Sequence, residues 1–152
     1  MISFVIPAHN EEALLGRAIT SIRESAKSTG ASYEIIVVND ASTDGTATVA
    51  QENGATVINV ELRRISSVRN AGARHAKGDV LIFVDADTVL PAPTLQAALA
   101  VLQAGGVGGG ASVVWDESCP FWGKLLLRLW NEGARVLRWA AGAWPAAIPA
   151  AP

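Results

Sequence analysis

The 152-residue sequence predicts an α/β fold: an open, mostly parallel sheet with helices on both faces. Three observations carry this expectation. Short runs rich in Val and Ile alternate with amphipathic stretches through the first two-thirds of the chain. The runs are almost continuously apolar, the pattern of parallel strands covered on both faces. Half of all residues are hydrophobic and 17% are charged, which suits one globular domain with a sizeable core and excludes a disordered chain. The single cysteine, Cys119, excludes an internal disulfide or a cysteine-built zinc site and fits a reducing compartment.

Each element can be argued in order. The strand runs are Ile2 to Ile6 (ISFVI), Glu34 to Val38 (EIIVV), Thr56 to Val60 (TVINV) and Val80 to Val84 (VLIFV). After the first, Leu15, Ala18, Ile19, Ile22 and Ala26 recur at helical spacing. Asn10 is the expected N-cap of that helix, with Glu11 and Glu12 in a first turn that favours negative charge. Shorter helices are expected over Thr46 to Asn53, Ser67 to Ala76 and Pro93 to Ala104, where Pro93 suits a first turn and Gly105 a stop. Gly108 to Gly110 then leads into a fifth apolar run, Ala111 to Trp115. Parallel strands joined through helices imply right-handed crossovers, and in such sheets ligands sit at the carboxyl ends of the strands.

Residues 1–117 therefore read as one domain, and past Pro120 the character changes. Residues 118–141 read as an amphipathic helix, with Leu126, Leu129, Trp130, Gly133, Leu137 and Ala140 sharing one face. Residues 142–152 (GAWPAAIPAAP) read as an unstructured Ala/Pro tail. The net charge of −2 hides an asymmetry: after Pro120, four cations against one anion give +3, so the front carries −5. An acidic front argues against a nucleic-acid partner. No leader is expected, because Asn10, Glu11 and Glu12 end the first apolar run early, and five charges between Phe121 and Ile148 argue against a membrane span.

The strand ends carry the chemistry. The first gives Pro7-Ala8-His9-Asn10-Glu11-Glu12, the second Asn39-Asp40-Ala41-Ser42-Thr43-Asp44-Gly45, and the fourth Asp85-Ala86-Asp87. An extended Asp-x-Asp pair points both carboxylates the same way, and two hard oxygen ligands suit Mg²⁺ or Mn²⁺. Directly after a five-residue apolar strand, the pair reads as a ligand site in preference to a solvated turn.

With Arg69-Asn70-Ala71-Gly72 between them, these segments stand in an order and spacing that resembles the nucleotide-sugar half of a family 2 glycosyltransferase. The resemblance covers about Met1 to Trp115. It implies a GT-A, Rossmann-like fold and transfer of a sugar from a UDP- or GDP-linked donor to an acceptor hydroxyl or lipid phosphate. It further implies that Pro7 and His9 flank the nucleobase and that Asp40 accepts a hydrogen bond from it. Arg69 would approach the nucleotide, Asp85 would lie near ribose and metal, and Asp87 would ligate the Mg²⁺ or Mn²⁺. The single cysteine and the expected lack of a leader or span place the protein in the cytoplasm; the helix over 121–141 reads first as a packing face for a missing half and second as a peripheral contact at the inner membrane face.

Other polar residues have simpler readings. Glu11 and Glu12 suit the helix dipole, Asp44 with Gly45 suits a turn, and His75 suits a helix C-terminus. Arg63 and Arg64 read equally as a phosphate grip or a solvated turn. No acidic pair that could supply the acceptor-side general base follows Trp115 at a suitable distance. The chain is thus expected to be a donor-binding half without its completed acceptor region, or else a nucleotide-sugar-binding module without efficient transfer. A nucleotidyltransferase or a dehydrogenase would need a Gly-rich loop after the first strand, where this chain has Pro-Ala-His-Asn-Glu-Glu.

Overall fold

The computed structural model describes residues 1–111 together with Leu126 and Leu129. The order is β1 (Ile2–Ala8), α1 (Glu12–Thr29), β2 (Tyr33–Asp40), α2 (Thr46–Glu52), β3 (Thr56–Val60), α3 (Ile65–His75), β4 (Val80–Phe83) and α4 (Ala92–Gln103). The four strands form one parallel sheet in the order β3-β2-β1-β4. Met1–Leu95 and Gln96–Pro152 are separate compact units, and the sheet lies wholly in the first. The fifth strand expected over Ala111 to Trp115, the helix over 118–141 and the tail fall outside the described residues, apart from Ala111, which is not in a strand, and from Leu126 and Leu129, both helical and exposed.

Strand order fixes the helices. β2 and β3 are added on one side of β1 and β4 on the other, so right-handed crossovers put α1 and α2 on one face and α3 on the opposite one. Burial follows. Val5, Ile36 and Val38 pack against Val68 and Ala71 of α3. Phe4, Ile6 and Val37, which the two-residue strand period turns the other way, are also fully buried, as are Leu15, Ile19 and Ile22 of α1. Every residue of β1 is buried, whereas the edge strands β3 and β4 hold only partly buried and exposed positions.

Gly72 sets how closely α3 approaches the sheet. A Cβ there would lie 2.3 Å from Val5 Cγ1 and 2.8 Å from Val38 Cγ2, so only glycine fits. The close contact holds Arg69, one turn earlier, beside the end of β4.

Several expected boundaries move. β1 runs on through Pro7 and Ala8, and β2 through Asn39 and Asp40, because the ladder continues from Pro7↔Val38 to Ala8↔Asn39 and from Asn39↔Asn59 to Asp40↔Val60. A proline is tolerated in a central strand here because the pairing of β1 with β4 stops at Val5↔Phe83. Asn10 is not the cap of α1. That position belongs to Glu11, and Asn10 has φ +56 with its side chain turned to the next loop.

Candidate functional site

The strand order reverses between β1 and β4, and open α/β sheets bind ligands in the crevice outside the carboxyl ends at such a reversal. A cavity of about 430 Å³ opens there. Pro7, Ala8, His9 and Glu11 line it from the end of β1, Asp40 from the end of β2, and Asp85, Ala86 and Asp87 from beyond β4. Arg63, Arg64, Ile65 and Val68 close it from the β3–α3 loop and the start of α3. The volume is within the usual range for small-molecule sites.

Five of the six sequence-chosen residues, Pro7, His9, Asp40, Asp85 and Asp87, are thus brought together around one cavity. Arg69 stands behind them. Its Nη2 donates to Asp85 Oδ1 at 2.6 Å, and its Nε is buried without a hydrogen-bond partner among the described residues. Asp85 and Asp87 are not an extended pair. The Asp85 carbonyl accepts from Thr88 N–H at 3.0 Å, which bends the segment into a turn. Buried Val84 and Ala86 still alternate with exposed Asp85 and Asp87, so both carboxylates reach the cavity.

Asp40 is buried, and its carboxylate spans the next loop. Oδ1 accepts from Leu62 N–H at 2.6 Å and Oδ2 from Arg63 N–H at 2.9 Å. The Asp40 carbonyl lies 2.7 Å from His9 Nδ1. A carbonyl only accepts, so His9 carries its hydrogen on Nδ1 and offers Nε2 as an acceptor. Arg63 Nη1 approaches that atom at 3.3 Å.

The β1–α1 and β2–α2 loops are laced together. Asn10 Oδ1 accepts from Thr43 N–H at 2.8 Å, Ser42 Oγ from Asn10 N–H at 3.0 Å, and Glu12 Oε2 from Gly45 N–H at 2.8 Å. Asp44 accepts from the Glu12 N–H and from both the backbone and hydroxyl of Thr46. The Thr46 hydroxyl, foremost, holds the Asp44 carboxyl below its ordinary range. Asp44 and Glu12 are therefore loop-building residues, and His75 ends α3 with its ring on the Ala71 carbonyl.

Glu11 is the residue that sequence reasoning undervalued. Its carboxylate makes no capping hydrogen bond and lines the cavity. Burial, then the negative charges of Asp87 and Asp44, push its carboxyl above the ordinary 4.5, with His9 acting weakly against them. A cation would relieve that repulsion. Among the described residues Asp87 accepts a hydrogen bond from its neighbour Thr88 alone, so Asp87 and Glu11 offer hard oxygen donors of the kind Mg²⁺ or Mn²⁺ takes, although no group of three or more His, Cys, Asp or Glu there is gathered to hold a metal ion. Asp85 has one oxygen committed to Arg69.

The sequence matches the family model described as glycosyl transferase family 2 over residues 3–149. The chain belongs to glycosyltransferase family 2. Its sheet and helices are those of the GT-A glycosyltransferase fold. Family 2 relatives include the undecaprenyl-phosphate 4-deoxy-4-formamido-L-arabinose transferase of Shewanella sediminis, 35% identical over 59% of this chain and 29% of its own length. The 4,4'-diaponeurosporenoate glycosyltransferase of Staphylococcus aureus is 35% identical over 74% of this chain and 31% of its own. The chain thus spans about three-tenths of the length of these curated relatives.

Among solved structures, a Pyrobaculum calidifontis mannosyltransferase in complex with GDP-Man and Mn²⁺ superposes with a TM-score of 0.56 at 28% identity, over 64% of this chain and 31% of that one. The glucosyl-3-phosphoglycerate synthase of Mycobacterium tuberculosis, in complex with Mn²⁺, UDP and glucosyl-3-phosphoglycerate, has a TM-score of 0.53 at 28% identity, over 74% and 42%. Among the described residues no helix is long and apolar enough to cross a membrane.

Proposed function

We propose that this family 2 chain binds a UDP- or GDP-linked sugar together with Mg²⁺ or Mn²⁺, and supplies the donor side of sugar transfer to an acceptor hydroxyl or lipid phosphate. The observation that carries the reading is the meeting of Asp40, His9 and the Asp85–Asp87 turn around one cavity at the strand-order reversal. The complexes of two relatives with GDP-Man or UDP and Mn²⁺ support it. The undecaprenyl-phosphate relative supports a lipid-phosphate acceptor, and with it peripheral contact with a membrane.

In this reading Pro7 and His9 flank the base and Asp40 accepts from its ring N–H. Asp87 holds the cation, with Glu11 beside it, and Arg69 keeps Asp85 oriented toward the ribose. When bound, the cation neutralises the charge that builds on the departing nucleoside diphosphate.

Calorimetry with UDP and with GDP, with and without Mn²⁺, on wild type and Asp87→Ala tests this. Wild type is expected to bind in a metal-dependent manner, and the variant to bind at least about tenfold more weakly, as loss of a ligand contact implies. Binding indifferent to both metal and substitution would remove Asp87 from the metal site. With a UDP- or GDP-linked sugar in place of the nucleotide, release of free sugar without transfer would show that the acceptor side is not supplied by this chain.

A further inference from the structure

Arg63 stands out among the residues around the cavity. It is one of three non-glycine residues with a left-handed backbone among the described residues, at φ +52. A bulky side chain rarely adopts that conformation unless its surroundings impose it, and such outliers gather at functional sites. Here the imposing group is visible. The buried Asp40 carboxylate takes Leu62 N–H on one oxygen and Arg63 N–H on the other. The loop is thereby pinned, and the exposed Arg63 side chain is aimed across the cavity mouth toward His9.

Of the three arginines near the cavity, Arg69 is committed to Asp85. The Arg63 guanidinium has one hydrogen bond among the described residues, to His9 Nε2, and so keeps four of its five N–H groups for a ligand. A guanidinium has no acceptor and stays charged at any working pH. Placed at the base end of a nucleotide, it pairs with an exocyclic oxygen and cannot satisfy an exocyclic amine.

We propose that Arg63, held over the cavity by the Asp40 carboxylate, is a specificity-determining residue that favours nucleotides whose base carries an exocyclic carbonyl at that edge, uracil or guanine, over those carrying an amine, cytosine or adenine. The inference rests on the reading of the cavity as a nucleoside-diphosphate site, with the base beside His9. It adds that discrimination between bases is shared between Asp40, through the ring N–H, and a loop residue outside the Asp-x-Asp and Asp40 motifs, through the exocyclic group.

The experiment is a matrix of dissociation constants for UDP, CDP, GDP and ADP, each with Mn²⁺, on the full chain as wild type, Arg63→Ala and Arg63→Gln. Wild type is expected to prefer UDP over CDP and GDP over ADP. Arg63→Ala should weaken UDP and GDP by about tenfold, the loss of one charge-assisted hydrogen bond, and leave CDP and ADP nearly unchanged. Arg63→Gln, whose amide both donates and accepts, should likewise narrow the preference to the part that Asp40 supplies through the ring N–H. Arg63 is exposed, so both variants should melt at the wild-type temperature. Equal weakening of all four nucleotides would overturn the proposal in favour of a phosphate grip, and unchanged ratios or a wild type without preference would overturn it outright. A wild type that binds none of the four would overturn the cavity assignment itself, and this inference with it.

Discussion

Where a helix returns to a strand, at the amino ends of the sheet, the left-handed turn positions are glycines: Gly30 at φ +67 before β2 and Gly54 at φ +69 before β3. Where a strand leaves for a helix, at the carboxyl ends, they are Asn10, Ala41 and Arg63, after β1, β2 and β3. The first set costs little strain, because glycine reaches that region freely. The second costs about 1 kcal/mol or more at each side chain with a Cβ and persists only because neighbouring groups enforce it. Hydrogen bonding divides the same way. At the amino ends Glu34 Oε1 accepts from Ser3 Oγ and from Lys77 N–H, both at 2.6 Å, and Ser3 Oγ accepts from Gly78 N–H at 2.8 Å, a closed set. At the carboxyl ends Glu11 and Asp87 repel each other, and Arg63 keeps donors to spare. The same residue types serve stability at one end and are left open to a ligand at the other.

Breaking the strongest tie at the carboxyl ends should have the largest effect. Asp40→Ala leaves two backbone N–H groups of the β3–α3 loop without their acceptor. A loss of about 2 kcal/mol in unfolding free energy is expected, with water replacing part of what the carboxylate gave. Nucleotide binding should fall with it, because the loop that carries Arg63 is released. Denaturant unfolding and calorimetry on the same preparation check both, and a loss of stability with full nucleotide affinity would show that the strained loop serves folding alone.

The fold was largely legible because it rests on local patterns. The apolar stripe Leu15, Ala18, Ile19, Ile22 and Ala26 is the buried face of α1, and the four strand runs are the four strands. The carboxyl ends were less so. Pro7, Asn39 and Asp40 are poor strand formers taken by turn logic for loop residues, and only pairing with distant neighbours keeps them in the sheet. The acidic positions of the site could be read, since Asp40, Asp85 and Asp87 follow apolar runs directly. What Asp40 holds could not. Its partners are 22 and 23 residues away, and nothing in Leu-Arg-Arg announces a left-handed backbone. Glu11 was hidden because a carboxylate at a helix start already has an adequate explanation in the dipole.

At the amino ends, Glu34→Gln removes a charge and keeps an acceptor. The Ser3 hydroxyl, first among several hydrogen bonds, holds the Glu34 carboxyl below its ordinary 4.5. A lowered carboxyl contributes stability that is fully present above the unfolded value and is lost as pH falls through the lower folded one. The variant should therefore be less stable than wild type by about 1 kcal/mol or less at pH 7, modest because the pair is half-exposed. The gap should begin to close as pH drops below about 4.5 and be gone once pH is below the lowered folded value. Nucleotide affinity should not change, and a variant that binds nucleotide more weakly would breach the division between the two ends.

Glu11→Gln carries the smallest effect and the opposite sign. The folded chain raises the Glu11 carboxyl through burial and the charge of Asp87, so its ionised form costs stability at neutral pH, and that cost falls away as pH drops through the raised folded value and is gone below the unfolded 4.5. The variant should be more stable than wild type by about 0.3 kcal/mol at pH 7, since solvent screens a partly exposed pair, and equal to it near pH 3. Metal sharpens the contrast. If Glu11 and Asp87 are a repelling pair relieved by a cation, Mn²⁺ should raise the wild-type melting temperature more than that of the variant, because part of the repulsion it relieves is already gone. Thermal melts at pH 7 with and without Mn²⁺ measure this directly. An equal rise in both proteins would place the cation out of reach of Glu11 and leave that residue to the helix dipole.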